Sequence, residues 1–214
     1  MTPPLLSPKK RIALLKALAS PARIEVVEVM QISGPATVAE ISTQLGRAPD
    51  SLYHHLKQLE KAGIVERQGT KQSGGRSGAV YALCGREVGA ESNDESTSDE
   101  RAAMADLGGA ILRLTERDMR SALTVDWPPS TDFEGMAEFP FVQRTKAWLT
   151  PDEAQQLNAK VGELLDFMSA RAVRKSGTGS IDEAKRLFAL TQVLSPVPTR
   201  STRASSTAEI SETP

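Results

Sequence analysis

The chain has 214 residues, 25% of them charged and 39% hydrophobic, with a net charge of −1, which fits a globular protein of one domain or two small ones. Its one cysteine, Cys84, excludes an intrachain disulfide and a multi-cysteine metal site. No apolar run approaches the roughly 18 residues that span a bilayer, and MTPPLLSPKKR has no basic stretch followed by an apolar core, so a cytoplasmic location is expected.

Residues 1–6 are expected to be loose. Ser7-Pro8 then opens a helix to about Ala19, with Ser as N-cap and Pro at the first position. Ile12, Leu14, Leu15 and Leu18 supply its apolar stripe. Ser20-Pro21 repeats the start signal. Ile24, Val26, Val27 and Met30 line the second helix, which Gly34-Pro35 ends. Thr37 and Glu40 form a T-x-x-E capping box for a third helix over Val38–Leu45. Gly46 supplies its stop. Pro49 opens a fourth helix that runs to about Ala62 and stops at Gly63. Two helices joined by such a turn predict a helix-turn-helix.

In the fourth helix Leu52, Leu56 and Leu59 form the face to be buried. Asp50, His54, Lys57 and Lys61 point the other way, with Ser51 and Gln58 near them and Tyr53 and His55 on the flanks. Hydroxyl, imidazole and ammonium groups on that face can bond base edges and phosphates in a major groove. The leucine stripe alone favours a solvated helix in a plain bundle.

After Gly63 the period changes. Ile64–Gln68 and Ala79–Leu83 are predicted strands. The intervening GTKQSGGRSG makes a hairpin with a long tip, a wing from which Lys71 and Arg76 can reach a phosphate or a minor groove. A flexible loop is the plainer alternative. A nucleotide phosphate loop is a poor third option, because GGRSG follows neither glycine pattern that cradles phosphates and the hairpin context is wrong for both.

The second half reads as helix, strand, helix, strand. Residues 86–98 are a polar, acidic linker. A helix over about 99–123 carries Met104, Leu107, Ile111 and Leu114 on one face, and 125–140 is an aperiodic loop. Phe141–Leu149 is a predicted strand. Thr150-Pro151-Asp152-Glu153 starts a helix to about Lys175, with Leu157, Val161, Leu164, Leu165 and Met168 on its buried side. Leu187–Leu194 is a further predicted strand, and 195–214, rich in Ser, Thr and Pro, is an expected disordered tail. The expected fold is α+β and mostly helical: a winged helix-turn-helix domain over 1–85, a linker over 86–98, and a small α/β region over 99–194. Charge divides along the same line. Residues 1–90 hold 12 Lys+Arg against 7 Asp+Glu, a net of +5, and 91–214 hold 14 against 20, a net of −6. A basic first half suits DNA.

The segments ALASPARIEVVEVM, TVAEISTQLGRAPDSLYHHLKQLEKAGIVER and GGRSGAVYAL stand in order within residues 13–83. In that order they resemble the winged helix-turn-helix domain of ArsR-type bacterial transcriptional regulators. WLTPDEAQQLNAKVGELLDFM and LFALTQVL are similar, less specifically, to the effector or dimerisation part attached to some members. The resemblance implies DNA reading by Pro49, Asp50, Ser51, Tyr53, His54 and Lys57, with a basic wing residue at Arg76. It also implies a homodimer formed through Ser7–Ala19 and Asp99–Leu123, and repression more than activation. Two departures matter. The Cys-x-Cys motif of metal-sensing members is absent from VAEISTQL, so metal sensing is not implied. Many members cap the recognition helix with Ser, where this chain has Ala48. Losing such a cap costs about 1 kcal/mol, offset in part by Asp50 at the positive helix end.

No cofactor, metal or catalytic set is expected. His54 and His55 are neighbours about 100° apart on a helix, poorly placed to share a metal. Cys84 at a strand end is structural or, with a partner thiol, redox-active. Trp127, Phe141, Trp148, Phe167 and Phe188 fit either core packing or the pocket of an unknown small-molecule effector. Residues 99–194 show no nucleophile–base pair and no phosphate loop. A sequence-specific DNA-binding regulator is the leading expectation, and a winged-helix protein-interaction module is the alternative.

Overall fold

The computed structural model describes residues 6–73, 76–84, 96–124, 144–172 and 189–194. Among them run α1 (Pro8–Leu18), α2 (Pro21–Ser33), β1 (Ala36–Thr37), α3 (Val38–Leu45), α4 (Pro49–Lys61), β2 (Val65–Ser73), β3 (Arg76–Leu83), α5 (Ser98–Leu123) and α6 (Pro151–Ala172). This is a mostly helical α+β fold with an N-terminal winged helix-turn-helix. Expectations for the tail, most of the linker, and residues 125–143 and 173–188 lie outside the described residues.

Local sequence fixes the helix starts. Proline opens α1, α2 and α4, where its missing N–H is not needed. Ser7 and Ser20 occupy the cap positions without a side-chain bond. The end of α1 is closed from outside, by the Arg23 guanidinium donating to the Ala17 and Lys16 carbonyls. The capping box of α3 is complete. The Glu40 N–H donates to Thr37 Oγ1 at 3.3 Å, and the Thr37 N–H donates to Glu40 Oε2 at 2.8 Å. Gly46 ends α3 at φ 61°, a left-handed conformation costly for other residues. Thr150 and Glu153 repeat the box at α6.

The sheet is antiparallel in the order β1–β3–β2. β1 was not foreseen. It is two residues long, pairing Ala36 with Tyr81 and Thr37 with Val80. The wing also differs from the long loop expected. Pairing continues through Lys71↔Gly78 to Ser73↔Arg76, so most of GTKQSGGRSG is strand. Glycines lower the strand propensity locally, yet Gly69–Ser73 pair with Arg76–Val80 across the hairpin. One register shift between Arg67 and Gly69 is accommodated by Gly69 at φ 140°.

The core sits between the helices and the sheet. Leu52, Leu56 and Leu59 of α4, Val26 of α2 and Ile41 of α3 are all 0% exposed, and Leu14, Leu18, Met30, Val65 and Tyr81 close the cluster. Leu6, expected to be loose, packs against it. α5 packs on α1 and α2. Its seam uses Glu100, Ala103, Ala110 and Leu114 rather than the Met104 and Ile111 side of the expected face. Ala103 and Ala110 are fully buried at the seam, with Leu114 beside them, while Leu107 packs against the core and Met104 and Ile111 are half-buried.

Three expectations for the second half fail. Residues 144–149 and 189–194 form no strand, because alternation alone supplies no neighbouring edge to pair with. The 189–194 segment instead meets α5 through a Thr115–Thr191 hydroxyl bond of 2.7 Å. Of the side of α6 expected to be buried, Leu164 and Leu165 are exposed and Leu157, Val161 and Met168 are only half-buried among the described residues. Trp148, at 90% exposed, and Phe167 therefore belong to no core or pocket there. No helix among the described residues is long and apolar enough to cross a membrane.

The leucine stripe should dominate stability. Leu56→Ala is expected to cost about 2–5 kcal/mol, whereas Lys57→Ala, one residue on and exposed, should stay within about 0.5 kcal/mol. Urea unfolding measures both, and equal effects would remove the stripe from the core.

Candidate nucleic-acid interface

Complete burial of the Leu52, Leu56 and Leu59 stripe fixes the rotation of α4. Pro49, Asp50, Ser51, Tyr53, His54 and Lys57 are consequently all exposed on its outer side. The six positions singled out in the sequence thus share one accessible surface. The helix start is as poor as expected, since Ala48 gives no side-chain cap bond. Ser51 turns its hydroxyl back to the Ala48 carbonyl at 2.7 Å, which tightens the first turn. Asp50 places a carboxylate where the helix dipole favours it.

The wing stands beside this helix. Arg67 lies 5.5 Å from the Tyr81 ring centroid, a cation–π geometry, and 3.3 Å from Glu60 at the end of α4. Arg76 opens β3 opposite Ser73. Lys71 is not the unattached cation the sequence suggested. Its Nζ donates to Glu40 Oε1 at 2.6 Å. That bond, followed by the Thr37 backbone N–H, holds the Glu40 carboxyl below its ordinary range. The same carboxylate therefore serves the capping box with one oxygen and the wing with the other.

The two histidines divide as their positions dictate. His54 is exposed and His55 half-buried, with ring centroids 5.8 Å apart and edge to face. Among the described residues no three of His, Cys, Asp and Glu gather as a metal site, and His55 Nδ1 is buried without a hydrogen-bond partner. Burial, then the Arg23, His54 and Arg47 charges, push the His55 pKa down. Cys84 is half-buried past the end of β3, where its N–H bonds the Ile64 carbonyl at 3.0 Å.

One charged residue gave no signal in the sequence. Glu25 lies on the buried side of α2, 8% exposed, between Arg47 of the helix-turn-helix turn and Arg117 of α5. Beside it, Glu28 is pushed up by burial and by the Asp118 and Glu25 charges. Periodicity could not place Glu25, because Ile24 and Val27 flank it and draw the apolar face to their own side.

Known proteins offer a limited comparison. A family model described as a helix-turn-helix domain matches residues 18–68. None of the curated proteins matches the chain. Among solved structures, overoxidized AbfR bound to DNA is 19% identical over 47% of this chain and 68% of that one, with a TM-score of 0.26. Disulfide-formed AbfR is 14% identical over 67% of this chain and 70% of that one, also at 0.26. Likeness at that level carries no weight beside the element order and the family match over α2, α3 and α4.

The lowered His55 pKa makes stability depend on pH. The fold favours neutral imidazole, so its contribution is complete above the unfolded pKa of about 6.5. It is lost as pH falls from there toward the lower folded value. Between about pH 7.5 and 5.5, His55→Gln should lose less stability than wild type in urea unfolding. An equal loss in both would place the acid sensitivity elsewhere.

Proposed function

We propose that the chain is a sequence-specific DNA-binding transcriptional regulator of the ArsR type, acting in the cytoplasm as a homodimer and as a repressor. One observation carries the reading: the outer face of α4 presents Ser51, Tyr53, His54 and Lys57 together, opposite a fully buried stripe and next to a strand-paired wing. The net charge of +5 over residues 1–90 suits a polyanionic partner. It favours double-stranded DNA over a protein partner for this face.

In this reading α4 enters the major groove with its N-terminal half leading. Pro49 fixes the helix start against the backbone. Ser51 and His54 meet base edges, and Tyr53 lies along the groove wall. Asp50 accepts from a cytosine amine instead of meeting phosphate oxygens. Lys57 and the wing residue Arg76 bind phosphates. Lys71, already paired with Glu40, contributes by tying the outer part of the wing to α3 and can exchange that partner for a phosphate. Two copies would present recognition helices about 34 Å apart to a near-palindromic operator. Exposed apolar side chains on the outer side of α5 and on α6, Leu112, Leu164 and Phe167 among them, support a dimer formed by the second half. Any small-molecule effector would bind in that half as well.

The roles separate in a binding assay. Lys57→Ala and Arg76→Ala should weaken binding to every sequence and shallow the dependence of log affinity on log salt by about 0.9 per lost contact. Ser51→Ala and His54→Ala should change sequence preference, by about 1–3 kcal/mol at the contacted base pair. Fluorescence polarisation across an operator and its single-base variants reads both. Equal losses by all four variants on every sequence would contradict this division.

A further inference from the structure

The recognition helix begins without a side-chain cap at Ala48, and beside the Ser51 bond to the Ala48 carbonyl its first turn is supported from the turn before it. The preceding residue shows how. The Arg47 N–H donates to the Ser42 carbonyl at 3.1 Å, and the Arg47 carbonyl accepts from Ser42 Oγ at 2.5 Å. The Arg47 guanidinium reaches across to α2, where Nη2 meets Glu25 Oε2 at 2.5 Å. The other oxygen of that carboxylate, Oε1, receives Arg117 Nη1 of α5 at 2.7 Å. Arg117 is itself oriented by Asp118, through Nη2 at 2.6 Å and Nε at 3.1 Å.

We infer that Glu25 is a positioning residue for the start of the recognition helix, and that Arg117 sets how firmly it holds. A carboxylate only 8% exposed is expensive to leave half-paired, because little water can replace a missing cation. With both guanidinium groups in place each oxygen is satisfied, and the carboxylate has one orientation in which to hold Arg47. Removing Arg117 orphans Oε1, lets the carboxylate turn, and loosens the turn that aims Pro49, Asp50 and Ser51. α5 thus reaches the DNA-reading face through one buried anion, although it lies across α2 from that face. A change that draws Arg117 away from Glu25, in the second half of the chain, would act on the same contact. Only the DNA-affinity arm of the test below rests on the DNA-binding reading.

The test uses the full chain and four variants: Arg117→Ala, Arg117→Lys, Glu25→Gln and the double variant Glu25→Gln/Arg117→Ala. Arg120→Ala serves as a control, since Arg120 lies on the same helix in a surface pair with Glu116. Amide hydrogen exchange is followed at residues 47–53, with Val65 and Tyr81 of the core as reporters of global opening. Exchange at 47–53 should rise about tenfold in Arg117→Ala and in Glu25→Gln, with the core reporters unchanged. Arg117→Lys should recover part of the protection, and the double variant should match Glu25→Gln alone. Affinity of Arg117→Ala for the DNA upstream of the protein's own gene should fall by a similar factor. The inference is overturned if Arg117→Ala behaves as Arg120→Ala does, if exchange rises uniformly through the core, or if the two substitutions add. Should Glu25→Gln fail to fold, the contrast of Arg117→Ala with Arg117→Lys still decides, because Arg117 is half exposed. Absence of DNA binding by the wild-type chain would overturn the DNA reading, while the exchange result would still decide the role of Glu25.

Discussion

The carboxylate of Glu40 is where the helix-turn-helix and the wing become one body. It accepts from the Thr37 N–H at 2.8 Å, the Thr37 hydroxyl at 3.0 Å and Lys71 Nζ at 2.6 Å. Thr37 is 2% exposed and pairs with Val80 as the last residue of β1. One side chain therefore starts α3, anchors the short strand that ties the helices to β3, and draws β2 toward them. A surface ion pair alone contributes little. Here the pair is added to a capping box, whose loss typically costs about 1 kcal/mol, and it constrains the wing's direction more than it stabilises the fold.

The same logic governs the recognition helix from its other side. Its rotation is set by three leucines with no exposure at all, a constraint too strong for surface chemistry to disturb. Its N-terminal turn is set by polar contacts that are easier to change: Ser51 turned back on Ala48, and Arg47 held to Glu25. On the proposed function, such a split suits a DNA-reading surface. The helix stays in place while the first turn, where base contacts would be made, can respond to α5 through Arg117.

How much of this was legible in the sequence follows from how local each signal is. The T-x-x-E boxes, the proline starts, Gly46 and the leucine stripe are decided within a turn or two of helix, and all stand where periodicity and capping place them. β1 was invisible because two residues carry no period, and only the distant β3 makes them a strand. The outer parts of the wing strands, Gly69–Ser73 and Arg76–Gly78, were hidden by glycines whose low propensity is overruled by cross-strand pairing. Glu25 and the Lys71–Glu40 pair needed partners 22 and 31 residues away. In the second half, alternation over 144–149 and 189–194 suggested strands, but among the described residues no edge pairs with either segment. The alanine seam of α5 shows the converse, for its tightest contacts are made by side chains a hydrophobicity pattern ranks low.

On the proposed function, this basic, winged first half grips DNA through phosphates and reads it through α4. Polarisation titration of the full chain against the DNA upstream of its own gene, repeated across a series of salt concentrations, tests it most directly. Binding should be tight at low salt, with log affinity falling linearly against log salt at a slope of several units, as expected when each phosphate contact contributes about 0.9. Unlabelled DNA of unrelated sequence should compete poorly. Absence of binding, or binding indifferent to salt and equally strong on any sequence, would contradict it.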